Sequence, residues 1–151
     1  FQARIARFQN CYGPQGTWKG GREKAPAALC RKVAESTDGT IEVWGDGTAV
    51  RSFVYVDDLV DGVRRLVDSD CSDPTNIGTR EYVSVRELVQ LVASAAGKEI
   101  DPVWVPGPVG VQNRNFSNDR IESLGFDPKF NLAEGLAHTY RWIANQVTQR
   151  P

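Results

Sequence analysis

Apolar positions along this chain recur with two periods, and the switches between them mark alternating strands and helices. Ala3 to Phe8 reads as a first strand, and the glycine-rich stretch from Asn10 to Lys24 as a loop. A helix follows, with Pro26 at a first-turn position where its missing N–H costs nothing. Ile41 to Trp44 and Ser52 to Val56 are predicted strands, separated by GDGTAVR, in which Asp46-Gly47 supplies the positive φ of a turn. Asp57 or Asp58 is then expected to cap a helix whose Leu59, Val60, Val63, Leu66 and Val67 form one apolar stripe. Pro74 to Ile77 is a short extended piece. SVRE, at Ser84 to Glu87, is a capping box opening a helix with Val85, Leu88, Val89 and Val92 on one face, and Gly97 ends it. Asp101 to Val105 is a further strand, PGPVG a loop, and Asn118 to Leu124 a short helix. Asn131 with Glu134 opens a last helix that turns Leu132, Leu136, Tyr140, Ile143 and Val147 inward.

Strand followed by helix, repeated along the chain, predicts α/β layering. A self-contained doubly wound nucleotide-binding domain would open on a G-x-G-x-x-G turn, and the sequence contains none. It also lacks methionine altogether, while a strand signal is already under way in its first residues. The expectation is a piece of something longer, without a cofactor half.

At 151 residues, with 40% apolar and 25% charged composition, the chain suffices for one core of its own. Its formal charge of -1 supplies no overall attraction for nucleic acid or anionic lipid, so neither is expected as a partner. No apolar run approaches the roughly 18 residues that span a bilayer, and a cytoplasmic protein is the simplest expectation. Cys11, Cys30 and Cys71 are widely spaced, with no CxxC and no partnering histidines, which predicts three reduced thiols and no metal site.

Charge matters locally. GTWKGGREKAP, residues 16 to 26, gathers Lys19, Arg22 and Lys24 ahead of a helix N-terminus, whose unpaired N–H groups and dipole also favour an anion. The alternative reading is a solvated loop whose cations are balanced by Glu23.

Five stretches, ARFQNCYGPQGTWKGGREKAPAALCRK, WGDGTAVRSFVYVDD, NIGTREYVSVREL, PGPVGVQNRN and LGFDPKFNLAEGLAHTYRWI, occur in the order found in one family. Together they resemble the C-terminal half of extended short-chain dehydrogenase/reductases, the NAD-dependent epimerase/dehydratase family, acting on nucleotide sugars. YGP and GDG…RSF are shared widely in that family, whereas GTWKGGREKAPAA resembles the branch that epimerises C3 and C5 of GDP-mannose. The resemblance implies an α/β substrate-binding part of a Rossmann-type enzyme, lacking the N-terminal nucleotide-binding half. Residues 1–151 would form this one domain, with the strand and substrate loop of residues 1–25 packing on that other half. It implies a GDP-mannose-like ligand and either a homodimer or pairing with the N-terminal half. NAD serves the full-length family, but none is expected on this chain alone.

Residue by residue, the resemblance implies that Asn10 contacts substrate, that Glu23, Lys24 and Ala25 line the sugar end, and that Lys32, Arg51 and Arg114 help bind it, the two arginines on the diphosphate side. Lys24 would be the catalytic proton donor. Oxidation at C4 by NAD acidifies the hydrogens on C3 and C5, so inversion needs a base on one face and an acid on the other. The remaining partners, a cysteine and a Tyr-x-x-x-Lys pair, belong to the preceding half and have no counterpart here. Each residue also has a plainer reading. Arg51 would pair with Asp46 or Asp57, Arg114 would brace the helix near Asn118, Lys32 would be a solvated helix cation, and Asn10 would initiate a turn. Trp18 is expected to flank the ligand, Trp44, Trp104 and Trp142 to pack, and His138 to do no chemistry. Ala49 and Val50 replace the family's polar pair before the RSF arginine, and Ser117 stands where many relatives carry aspartate. The other reading of the whole chain is a stand-alone, non-catalytic module for nucleotide-sugar binding or oligomerisation.

Overall fold

The computed structural model describes residues 2–107 and 115–149. In chain order the elements are β1 (Ala6–Phe8), β2 (Asn10–Tyr12), α1 (Ala25–Glu35), β3 (Thr40–Trp44), β4 (Val50–Tyr55) and α2 (Val56–Val67). Then come β5 (Thr75–Ile77), β6 (Tyr82–Ser84), α3 (Val85–Ala96), β7 (Asp101–Val105), α4 (Asp119–Ser123) and α5 (Leu132–Thr148). β1 pairs parallel with β5, β2 parallel with β4, and β3 parallel with β7, while β6 runs antiparallel to the outer part of β4. The predicted α/β layering is what the chain adopts.

Two hydrophobic clusters flank β4. Phe53 and Tyr55 face the larger one, built with α1, α3 and α5, whereas Val54 faces the smaller one with Leu59, Leu66, Ile77, Ile121 and Phe126. That division follows from the two-residue period of a strand. α5 lies close on β2 and β4 because position 135 is glycine: a Cβ there would stand 2.1 Å from Tyr12 Oη and 2.9 Å from Tyr55 Cδ2. Both predicted capping boxes form, Ser84 with Glu87 and Asn131 with Glu134, and Gly97 closes α3 in the left-handed region at φ 62°.

Four expectations change. The first strand is broken: β1 begins only at Ala6, and Asn10–Tyr12, expected in the loop, is a second strand. At Gln9 the chain leaves β5, to which its N–H still donates, and crosses to β4. β6 was not foreseen, since three residues are too few to show a period. Neither Asp57 nor Asp58 caps α2, which starts at Val56 with Tyr55 as N-cap and no side-chain bond. Both aspartates sit in the first turn, favourably placed for the helix dipole. Asp58 is buried and accepts from the backbone N–H groups of Lys129 (2.9 Å) and Phe130 (3.1 Å). Asp58 and Gly62 therefore take inner positions of α2, and Val60 and Val67 of the expected stripe are exposed. Finally, Trp44 is 62% exposed rather than packed, because Ile41 and Val43 are the inward residues of β3. Cys11, Cys30 and Cys71 are free thiols. Among the described residues no helix is long and apolar enough to cross a membrane.

Candidate functional site

The collar is shaped by its glycines and held by its carboxylate. Gly20 and Gly21 take φ values of 92° and 82°, a region closed to most side chains, so the chain turns sharply just before the charged residues. Glu23 then clasps the turn: its Oε2 accepts from Gly21 N–H at 2.7 Å, and its Oε1 accepts from Arg31 Nη2 of α1 at 3.3 Å. Bonds from backbone N–H groups, its own first and then that of Gly21, together with the Arg31 charge, hold the Glu23 carboxyl below the usual carboxylate range. Lys24 follows as the N-cap of α1, and its carbonyl accepts from Ala28 N–H at 2.9 Å.

Residues 21–25, leading from the Gly21 turn into the first residue of α1, line two cavities in alternation. Arg22 and Lys24 line a cavity of 720 Å³ together with Cys11, Tyr12, Tyr55 and Asp57. Gly21, Glu23 and Ala25 line a second of 350 Å³, where they meet Arg31, Lys32 and Trp44. Glu23 and Lys24, neighbours in sequence and expected at one end of a single pocket, thus face different spaces.

Of the other expected ligand residues, Lys32 is in the lining of the smaller cavity, and Asn10 and Arg51 lie apart from both linings. Asn10 is on β2 and donates from Nδ2 to the carbonyl of Ser52 at 3.2 Å. Arg51, on the neighbouring β4, donates to the carbonyl of Val50 at 2.7 Å. Asp46, one suggested partner for Arg51, instead accepts from the N–H and hydroxyl of Thr48. Lys32 reaches from α1 to β3 and donates to the carbonyl of Glu42 at 2.6 Å. Arg114 lies outside the described residues. The residues that follow it are moored: Asn115 Oδ1 accepts from Tyr82 Oη at 3.0 Å, and Phe116 N–H donates to the same hydroxyl at 3.1 Å. Tyr82 is the β6 partner of Ser52, next to Arg51.

Sequence reading gave no place in the site to Arg31, Tyr55 or Gln9, and it offered Asp57 only as a helix cap or a partner for Arg51. Arg31 carried one usable signal, Glu35 four residues on, with which it forms an ion pair. Tyr55 lines the larger cavity from the end of β4 and stacks on Phe130, with centroids 4.5 Å apart. Its hydroxyl lies 3.4 Å from Nδ1 of His138, the histidine given no role.

The clasp makes a pH prediction. Because the folded pKa of Glu23 is depressed, its contribution is present above the unfolded value of about 4.3 and is lost as pH falls through the lower folded one. An NMR titration should show the Gly21 amide signal moving below about pH 4.3, in step with the Glu23 carboxyl. A Gly21 signal indifferent to that titration would mean the clasp does not form.

Parallel strands joined through helices, with a cationic loop opening a helix beside a cavity, define an α/β protein with a cation-lined cavity at a helix start. Residues 1–78 match the NAD dependent epimerase/dehydratase family, and the chain belongs to that family. Among curated proteins it is similar to GDP-mannose 3,5-epimerase of Arabidopsis thaliana, 52% identical over 97% of this chain and 39% of the relative. It is 34% identical to the probable GDP-L-fucose synthase 1 of Oryza sativa subsp. japonica, over 97% of this chain and 46% of that one. The UDP-glucose 4-epimerase of Thermotoga maritima, solved with UDP-glucose, superposes with a TM-score of 0.86 at 28% identity, over 95% of this chain and 46% of that one. The chain thus spans less than half the length of these relatives.

The family name implies NAD. The usual site for a dinucleotide pyrophosphate is a strand, a G-x-G-x-x-G turn and a helix N-terminus in direct succession, and the sequence contains no such fingerprint. Among the described residues β4 passes straight into α2 with Asp57 and Asp58 in its first turn, the N-termini of α3 and α5 are taken by their own capping boxes, and α1 follows β2 and the glycine-rich loop with no side-chain cap.

Proposed function

We propose that this chain is the substrate-binding portion of a nucleotide-sugar epimerase of the GDP-mannose 3,5-epimerase kind. The observation that carries the reading is the collar, one short segment that supplies walls to both cavities and sets Lys24 on the larger one. Cavities of a few hundred Å³, with a small number of placed polar groups, suit a sugar nucleotide. Lys24 is the proton donor to a sugar carbon. Its ammonium gives a proton to one face of the ring while the opposing base comes from the other half of the family's enzymes. Glu23, Ala25 and Lys32 bind from the smaller cavity, where the exposed indole of Trp44 offers a planar face to a base or sugar. Asn10, Arg51 and Arg114 bind the remainder of the ligand, the arginines at the diphosphate. This portion pairs with a dinucleotide-binding half in the cytoplasm. Ile5 and Phe8, both exposed, supply apolar surface for that contact.

Isothermal titration of the chain with GDP-mannose tests the reading. With part of the pocket contributed by another half, the dissociation constant is expected near a millimolar, about -4 kcal/mol. Submicromolar affinity, or affinity no better than for mannose alone, would overturn it.

A further inference from the structure

One buried polar knot lies beside two of the proposed ligand residues, Asn10 and Arg51, and Gln9 is its centre. Gln9 Oε1 accepts from the Ser52 hydroxyl at 2.7 Å and from Thr79 N–H at 3.1 Å, and its Nε2 donates to Asn118 Oδ1 at 3.2 Å. All four residues are buried. The backbone N–H of Gln9 adds a bond to the carbonyl of Ile77 at 3.0 Å. Space for the carboxamide exists only because residue 78 is glycine, where a Cβ would stand 1.9 Å from Gln9 Cδ. A residue placed only to fill volume would need none of these partners. A buried carboxamide with three satisfied bonds fixes the relative positions of everything it touches, since breaking any bond leaves a costly orphan.

What it touches is informative. Gln9 immediately precedes Asn10, Ser52 immediately follows Arg51, and Asn118 lies four residues beyond Arg114. Asn10 is tied a second time to the same place, through Nδ2 to the carbonyl of Ser52. The knot thus joins β2, β4, the turn after β5 and the entry to α4, which are far apart in sequence. We propose that Gln9 is a positioning residue, whose side chain holds Asn10 and Arg51, with the segment at Asn118, in one register for a shared ligand. The proposal rests on the nucleotide-sugar reading above, because that reading supplies the reason for Asn10 and Arg51 to converge. Gln9 itself touches no reacting atom.

The experiment compares Gln9→Met, which keeps the length and removes every polar bond, with Val92→Ala, a buried change on α3 in the other cluster. Asn118→Ala cuts the tether from its far end and serves if Gln9→Met fails to fold. NMR titration with GDP-mannose should show Gln9→Met and Asn118→Ala weakening affinity about tenfold, while Val92→Ala, at a similar loss of thermal stability, stays within about twofold of the parent. Equal effects of all three on affinity would overturn the positioning role. If the parent chain does not bind GDP-mannose, the nucleotide-sugar reading fails, and the knot is judged on the free chain. There the amide signals of Asn10, Arg51 and residues 115–118 should shift together in both knot variants. Shifts confined to the strand or helix carrying the substitution would refute the coupling.

Discussion

Replacing Lys24 with alanine is expected to lower turnover about 10²- to 10⁴-fold, the usual worth of a positioned proton-transfer group, with a much smaller change in substrate affinity. The protein to use joins residues 1–151 to a dinucleotide-binding half of the family. Three features of the structure set the expectation. The lysine backbone is locked as the N-cap of α1, with its carbonyl bonded to Ala28. Its side chain lines the larger cavity, not the face occupied by Glu23. Arg22 lines the same cavity, so one cation remains in the variant to attract an anionic ligand. Lys24→Arg sharpens the test, because a guanidinium preserves the charge but does not release a proton in the working pH range. It should bind substrate and still turn over slowly. A variant in which KM alone rises would assign Lys24 to binding and remove the proton-donor role.

The second large effect is on stability. Asp58→Ala should destabilise the chain by about 2 to 6 kcal/mol, since each of its two part-buried hydrogen bonds to a backbone donor is worth about 1–3 kcal/mol when the carboxylate is lost. Asp58 is 2% exposed, and its two oxygens serve the N–H groups of Lys129 and Phe130 separately. Alanine satisfies neither. Asp58→Asn keeps one acceptor oxygen and should lose about half as much. Against a total stability of about 5–15 kcal/mol, the alanine change would move a urea midpoint far enough to read directly. The consequence reaches the site, because Phe130 stacks on Tyr55, a wall of the Lys24 cavity. A loss below about 1 kcal/mol would mean water replaces the carboxylate there at little cost.

Much of the candidate site was legible as a set of residues, and little of it as an arrangement. Lys24 at the start of a helix could be read because glycine, charge and a first-turn proline are all local marks. That Glu23 faces away from it could not, since the direction of each side chain between the Gly21 turn and α1 depends on what packs on either side. Asn10 was assigned to a loop because a three-residue strand shows no period. Its pairing with Phe53, 43 residues on, is what makes it a strand. Asp58 looked like a cap by residue type, yet its partners lie more than 70 residues downstream.

The amino-acid order by itself determined the alternation of strands and helices, both capping boxes, the close of α3 at Gly97 and the cationic collar. Each of these depends on groups within about four residues of one another, the reach of helical hydrogen bonds and turns. Tertiary structure alone decided where the first strand breaks, which way Asp58 points, that Trp44 stays in the open and how the collar divides two cavities. Those outcomes depend on strand pairing and packing between distant segments, whose energies become defined only when the chain has brought them together.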